Sequence, residues 1–144
     1  MNPELAFDIA DEPSSVDAAV VDAGLGAFNR LAADFTAIRR LACFARVPAG
    51  DVIGGAVGRY WNEACELQQV WVHNDYRRGT VGTRLVQAFE EGARQRGCRL
   101  VYLDTFSFQA PDFYRKLGYR VACELTGFPD GASKLIMTRP LVET

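Results

Sequence analysis

Two adjacent arginines followed by spaced glycines, Arg77-Arg78-Gly79-Thr80-Val81-Gly82, are the residues of this chain best suited to holding a phosphate. Val70-Trp71-Val72 reads as the end of a strand, and an amphipathic helix follows the glycines at once. A helix N-terminus presents about four unpaired backbone N–H groups and roughly half a positive charge. Glycine lets a ligand approach the backbone, and two guanidinium groups add fixed cations, so the stretch Arg77–Thr83 suits a phosphate or diphosphate. It is not a Walker A loop, because no Gly-Lys-Ser/Thr follows, and it is not the GxGxxG of a dinucleotide fold. At this point a plain strand-to-helix turn with two solvated arginines is an equal reading.

Other reactive residues point to little. Cysteines stand at 43, 65, 98 and 123 with no CxxC, and the single histidine is His73. This spacing lacks a zinc-ligand pattern, so no metal and no Cys–His nucleophile are expected, and the thiols read as buried and reduced. A net charge of -2 and a pI near 5.4 argue against a nucleic-acid partner. No apolar run approaches the roughly 20 residues that span a bilayer, so no membrane partner is expected. Met1-Asn2-Pro3-Glu4 lacks the basic and apolar regions of a signal peptide, and a cytoplasmic location is the expectation.

The elements around the loop read as one domain over residues 1–144. Leu5–Ala10 reads as a short strand, and Ser14 or Ser15 as the cap of a helix beginning at Val16–Val21. Gly24 and Gly26 are expected to bend or interrupt it before Ala27–Ala33. Leu41–Val47, Val52–Trp61 and Cys65–His73 read as three antiparallel strands. Val81, Leu85, Phe89 and Ala93 recur every four residues, with Arg84, Glu90, Glu91 and Arg94 between them, as in an amphipathic helix stopped at Gly97. Leu100–Leu103 is a buried strand by its continuous apolar run. Pro111 suits the first turn of a helix reaching Leu117, and Tyr119–Leu125 with Lys134–Thr138 reads as a closing hairpin. The fold class is therefore α/β, with a mixed sheet that is mostly antiparallel and has one parallel crossover.

The segment Arg77-Arg78-Gly79-Thr80-Val81-Gly82 resembles the acetyl-CoA loop of the GNAT superfamily (GCN5-related N-acetyltransferases), whose motif is Gln/Arg-x-x-Gly-x-Gly/Ala at a helix start. Thr80 stands where the middle glycine is usual. Gly79 is expected to supply the freedom one residue early, with the Thr80 hydroxyl donating a hydrogen bond or capping the helix. A second block, Ala110-Pro111-Asp112-Phe113-Tyr114-Arg115-Lys116-Leu117-Gly118-Tyr119, resembles the family's A-x-x-F-Y-x-K-x-G-F/Y. The run Asp104–Pro111, Gly24-Leu25 with Phe28-Asn29, and Phe128-Pro129-Asp130-Gly131 resemble a small bacterial subgroup. The resemblance implies the GNAT acyl-CoA N-acyltransferase fold: a central sheet splayed between its fourth and fifth strands and flanked by helices.

The activity implied is transfer of the acetyl group of acetyl-CoA to a primary amine by direct attack in a ternary complex. The alternative is an acyl-CoA-binding regulatory or partner-binding protein of the same fold without catalysis. By resemblance, Tyr114 is the general acid at the coenzyme sulfur. Val70, Trp71 and Val72 pair with the pantetheine arm, the Val70 N–H facing the thioester oxygen. Arg77, Arg78, Gly79, Thr80, Val81, Gly82 and Thr83 hold the diphosphate, and Ser107 contacts the coenzyme where the family often has asparagine. Glu66, eleven residues before Arg77, matches the position of a catalytic glutamate in some members; Asp104, Glu63 and a water chain are its rivals. The acceptor groove would use Phe28, Asn29, Tyr60, Trp61 and Phe128. The acceptor is a small-molecule or peptide amine, and a homodimer through the final strands is the oligomer implied.

Overall fold

The computed structural model describes residues 4–141. Backbone contacts divide it into two compact units, the first ending at Thr36 and the second starting at Ala37.

The first unit is built on α1 (Ser15–Ala32), capped by Ser14, whose hydroxyl accepts from the Asp17 N–H at 3.4 Å. Gly24 and Gly26 do not interrupt it. An isolated glycine weakens a helix by only about 1 kcal/mol, and the flanking alanines, valines and leucine carry it through. Leu5–Ala10, expected as a strand, has no regular structure and is exposed throughout. A strand exists by virtue of its ladder partner, and no described strand pairs with this segment.

The second unit is a six-stranded sheet in the order β1-β2-β3-β4-β6-β5. The strands are β1 (Arg39–Arg46), β2 (Val52–Trp61), β3 (Ala64–Val72), β4 (Leu100–Phe106), β5 (Arg120–Leu125) and β6 (Lys134–Pro140). Every pairing is antiparallel except β3 with β4. Helix α2 (Val81–Gln95) makes the crossover between them, as a parallel pair requires, and α3 (Pro111–Lys116) follows β4. The buried face of α2, formed by Leu85, Val86, Phe89 and Ala93, packs in one core with Ala56, Cys65, Leu67, Val101, Leu103 and Met137.

The parallel pair is short. Ala64, Cys65 and Glu66 face Leu100, Val101 and Tyr102, and beyond them the two strands no longer pair. Without the Leu5–Ala10 strand, the expected splay between fourth and fifth strands is the one between β3 and β4. A bulge marks the point of divergence: the register steps from Gly58↔Leu67 to Val57↔Gln69 and leaves Gln68 unpartnered. Gly58 permits this. A Cβ there would lie 1.9 Å from the Glu66 carbonyl oxygen and 2.9 Å from Phe89 Cζ.

All four thiols are free, but only Cys65 and Cys98 are buried; Cys123 is exposed because both faces of edge strand β5 are uncovered. Burial, with Cys98 beside it, pushes the Cys65 thiol up to about 12.

Candidate active site

The loop expected to hold a phosphate is shaped by contacts at both ends. His73 caps the turn Asn74–Tyr76 by accepting the Asp75 N–H at its Nδ1, 3.1 Å away. Arg77 Nε donates to the Val72 carbonyl at 2.8 Å and ties the loop to the end of β3. Arg78 takes the left-handed conformation (φ 67), whereas Gly79 does not, so the turn's positive φ sits one residue earlier than expected. Arg78 pairs with no carboxylate among the described residues. Thr80 is the N-cap residue of α2, and its hydroxyl makes no capping hydrogen bond, so of its two expected roles the capping one is absent.

A cleft of about 470 Å³ opens over this loop. Its walls are Val70–Val72, Tyr76–Gly79, Gly82, Thr83, Ala110, Phe113 and Tyr114. Thr80 and Val81 are absent from the wall, and Val81 packs against the core instead. A Cβ on Gly79 would meet nothing within 4 Å, and one on Gly82 would make ordinary contact with Phe113 at 3.5 Å. The protein itself therefore does not demand glycine at either position. Bare backbone, the amides of the first α2 turn and an unpaired Arg78 form a cradle that fits a diphosphate.

Tyr114 stands at the other side of the cleft. Pro111 opens α3 at its first turn, which places Phe113 and Tyr114 side by side with ring centroids 5.1 Å apart. Tyr119 packs on Tyr114 from behind at 5.7 Å and 73°, and its N–H donates to the Tyr114 carbonyl at 3.0 Å. The Tyr114 hydroxyl has no hydrogen-bond partner among the described residues, and burial raises its pKa above the ordinary tyrosine value. It is a neutral donor at physiological pH.

A second cleft, about 450 Å³, lies in the splay between β3 and β4 and is lined by Gln68, Gln69, Val70, Trp71, Asp104, Thr105, Gln109, Ala110 and Tyr114. Val70, Trp71, Ala110 and Tyr114 line both clefts. The diverging strands thus leave two adjoining chambers that share Tyr114, Ala110 and the β3 edge at Val70 and Trp71.

Glu66, Glu63, Ser107, Tyr60, Trp61 and Phe128 do not line this pair of clefts. Glu66 sits where β3 and β4 still pair, its Oε1 accepting from Arg59 Nε at 3.0 Å. Of the three carboxylates weighed as a base, Asp104 alone lines a cleft with Tyr114; Glu63 lies in the β2–β3 turn, its carbonyl accepting from Arg99 and Leu100. Ser107 Oγ accepts the Ser133 N–H at 3.0 Å, and Ser107 joins Phe128 in a separate aromatic cleft. Tyr60 and Trp61 face Cys65 and Ala64, at the opposite end of β3 from Val70–Val72. Phe28 is exposed on α1 in the first unit, and Asn29 lies beside it.

Nothing in the sequence marks Gln68, Gln69 and Gln109 as cleft residues, because a bulge and a splay carry no local signal. Sequence reasoning also missed Glu90, taken for the polar face of α2. Glu90 is 2% exposed and accepts from Arg139 Nη1 at 2.6 Å and Tyr119 Oη at 3.0 Å. Among the described residues no group of acidic, Cys or His side chains could hold a metal, and no helix is long and apolar enough to cross a membrane.

Comparison with known proteins gives the family and the fold. Residues 17–119 match the Acetyltransferase (GNAT) family. The chain is similar to blasticidin-S acetyltransferase of Streptomyces morookaense, at 32% identity over 93 residues covering 64% of this chain and 68% of that protein. The fold is that of an acetyltransferase from Bacillus cereus ATCC 14579, with a TM-score of 0.78 and 24% identity over 92% of this chain and 97% of that one. Nourseothricin acetyltransferase is also similar, with a TM-score of 0.62 and 27% identity over 72% of this chain and 66% of that one.

Proposed function

The chain belongs to the acetyltransferase (GNAT) family, whose members act on acetyl-CoA, and from that premise we propose that it acetylates a primary amine by direct attack in a ternary complex. The observation that carries the reading is the shared wall of the two clefts, Val70, Trp71, Ala110 and Tyr114. One cleft offers a diphosphate cradle, the other a polar chamber, and their junction is where a thioester and an amine would meet. The small-molecule acceptor is supported by the similarity to a blasticidin-S acetyltransferase.

Acetyl-CoA supplies an activated acyl group with a sulfur leaving group. Arg78 and the α2 amides hold the diphosphate, while the edge of Val70–Val72 that has no β4 partner aligns the arm and offers an N–H to the carbonyl oxygen. Asp104 draws the acceptor ammonium into the second cleft, and the amine loses a proton to this carboxylate or to water before attack. The nitrogen bonds to the carbonyl carbon and loses its second proton to water as the carbon–sulfur bond breaks. Tyr114 donates its hydroxyl proton to the departing sulfur and recovers one from solvent, so the net products are amide, thiol and one proton. The Glu66–Arg59 pair serves the sheet, and Asp104 is the carboxylate that reaches the acceptor.

The test is Tyr114→Phe. Thiol release with an amine panel should fall about 10²–10⁴-fold in kcat, the range for loss of a general acid, while the acetyl-CoA Kd stays within about twofold. Unchanged turnover would reject the assignment.

A further inference from the structure

Three phenylalanines at and beyond the end of β4 form a cleft that acetyl transfer itself does not explain. Phe106 ends β4, Phe108 follows in the next loop, and Phe128 comes from the β5–β6 connection. The Phe106 and Phe108 rings are parallel, 5° apart in plane with centroids at 5.3 Å, and Phe128 meets Phe106 edge-on at 5.3 Å. With Pro129 and Asp130 they enclose about 600 Å³. Phe108 remains 72% exposed, an arrangement that water disfavours.

The cleft is held in shape by its own backbone. Ser107 N donates to the Ser133 carbonyl at 2.8 Å and Ser107 Oγ accepts from Ser133 N, which locks the two loops together. Gln109 Oε1 accepts from Phe106 N at 2.7 Å and from Thr105 Oγ1 at 3.2 Å, bracing the turn that carries Phe108. Asp130 is held at φ 57, a conformation that disfavours residues with a Cβ. Strain and bracing of this kind preorganise a surface before anything binds.

The cleft adjoins the acceptor chamber. Asp104 lies two residues before Phe106 on the same face of β4, about 7 Å along the strand. Lys134 bridges the two, with Nζ 4.0 Å from Asp104 Oδ1 and 5.7 Å from the Phe106 ring centroid. An ammonium at Asp104 and a flat ring extending the Phe106–Phe108 stack would be joined by a short linker.

We propose that the acceptor is a small amine carrying an aromatic or heteroaromatic ring, and that the Phe106–Phe108–Phe128 cleft binds that ring. This deepens the acetyltransferase reading and rests on it for the position of the amine. Offset stacking adds to plain apolar burial, so the ring is selected for flatness and not for greasiness.

The probes are 2-phenylethylamine and 2-cyclohexylethylamine, which share charge and length while the second is bulkier and more apolar. Their Kd values are measured by calorimetry on the intact chain with coenzyme A present, so the readout does not depend on turnover. Wild type should bind the phenyl amine about three- to tenfold more tightly. In Phe108→Ala and in Phe108→Leu, both at an exposed position, the ratio should fall to about one. Equal affinities in wild type, or a ratio that survives both substitutions, overturns the proposal. Thiol release run in parallel tests the acetyltransferase reading separately: a phenyl preference without transfer keeps the ring site and rejects the catalysis.

Discussion

Replacing Glu90 by alanine removes the centre of a buried polar cluster whose strength can be worked out from its contacts. The Glu90 side chain is 3% exposed and receives two hydrogen bonds, from Arg139 and Tyr119. Breaking a buried ion pair by deleting one partner costs about 3–5 kcal/mol. The Arg139 side chain is 31% exposed, so water replaces part of the lost partner and the lower end applies, about 3 kcal/mol. Tyr119 is 2% exposed, and its stranded hydroxyl adds about 1 kcal/mol. The expected loss is thus about 4 kcal/mol, or a urea midpoint lowered by about 2 M at a slope near 2 kcal/mol/M. Tyr119→Phe alone removes one hydrogen bond to a charged group and should cost about 1.5 kcal/mol. In the Glu90→Ala background it deletes a hydroxyl with nothing to bond and should be neutral or stabilising. The assay is urea unfolding of the four proteins followed by tryptophan fluorescence. A Glu90→Ala protein within about 1 kcal/mol of wild type, or a Tyr119→Phe effect equal in both backgrounds, would refute the reasoning.

Further outcomes follow from single contacts. Gly58→Ala places a Cβ on the Glu66 carbonyl and should cost about 3 kcal/mol or more, seen as a lowered thermal midpoint; a neutral result would mean the β3 bulge can slide. Cys65 has a folded pKa raised from 9.0 to about 12, so its contribution is complete below pH 9 and is lost as pH rises toward 12. Cys65→Ala should therefore flatten the fall of stability between pH 9 and 11 by up to about 1.4 kcal/mol per pH unit, and an identical slope would show that the thiol does not titrate there. Arg78→Ala should weaken acetyl-CoA binding about three- to tenfold at low salt and less at high salt, because an exposed cation acts through a screened field. Equal losses at both salts would point to a packing effect.

Much of the framework around the candidate site was legible in the sequence. A four-residue apolar period, a proline at a helix start and glycines at a strand–helix turn are local signals, and α2, α3 and the Arg77–Thr83 loop follow from them. The β1–β2–β3 meander was legible for the same reason. Leu5–Ala10 has strand composition and no strand, because a ladder depends on a partner elsewhere in the chain. Glu66 has the spacing of a catalytic residue, yet its cross-strand register hands it to Arg59.

The order of elements from β1 onward, the apolar stripe of α2 and the candidate phosphate loop were determined by the sequence alone, since each depends on neighbours within a few positions. Tertiary structure decided which side chains share a chamber. The bulge at Gln68, made possible by Gly58, ends the β3–β4 ladder after three pairs and opens the gap where Asp104, Gln109 and Tyr114 meet. It also turned Glu90 inward onto Tyr119 and Arg139, because burying a carboxylate is favourable only when distant partners arrive to satisfy it.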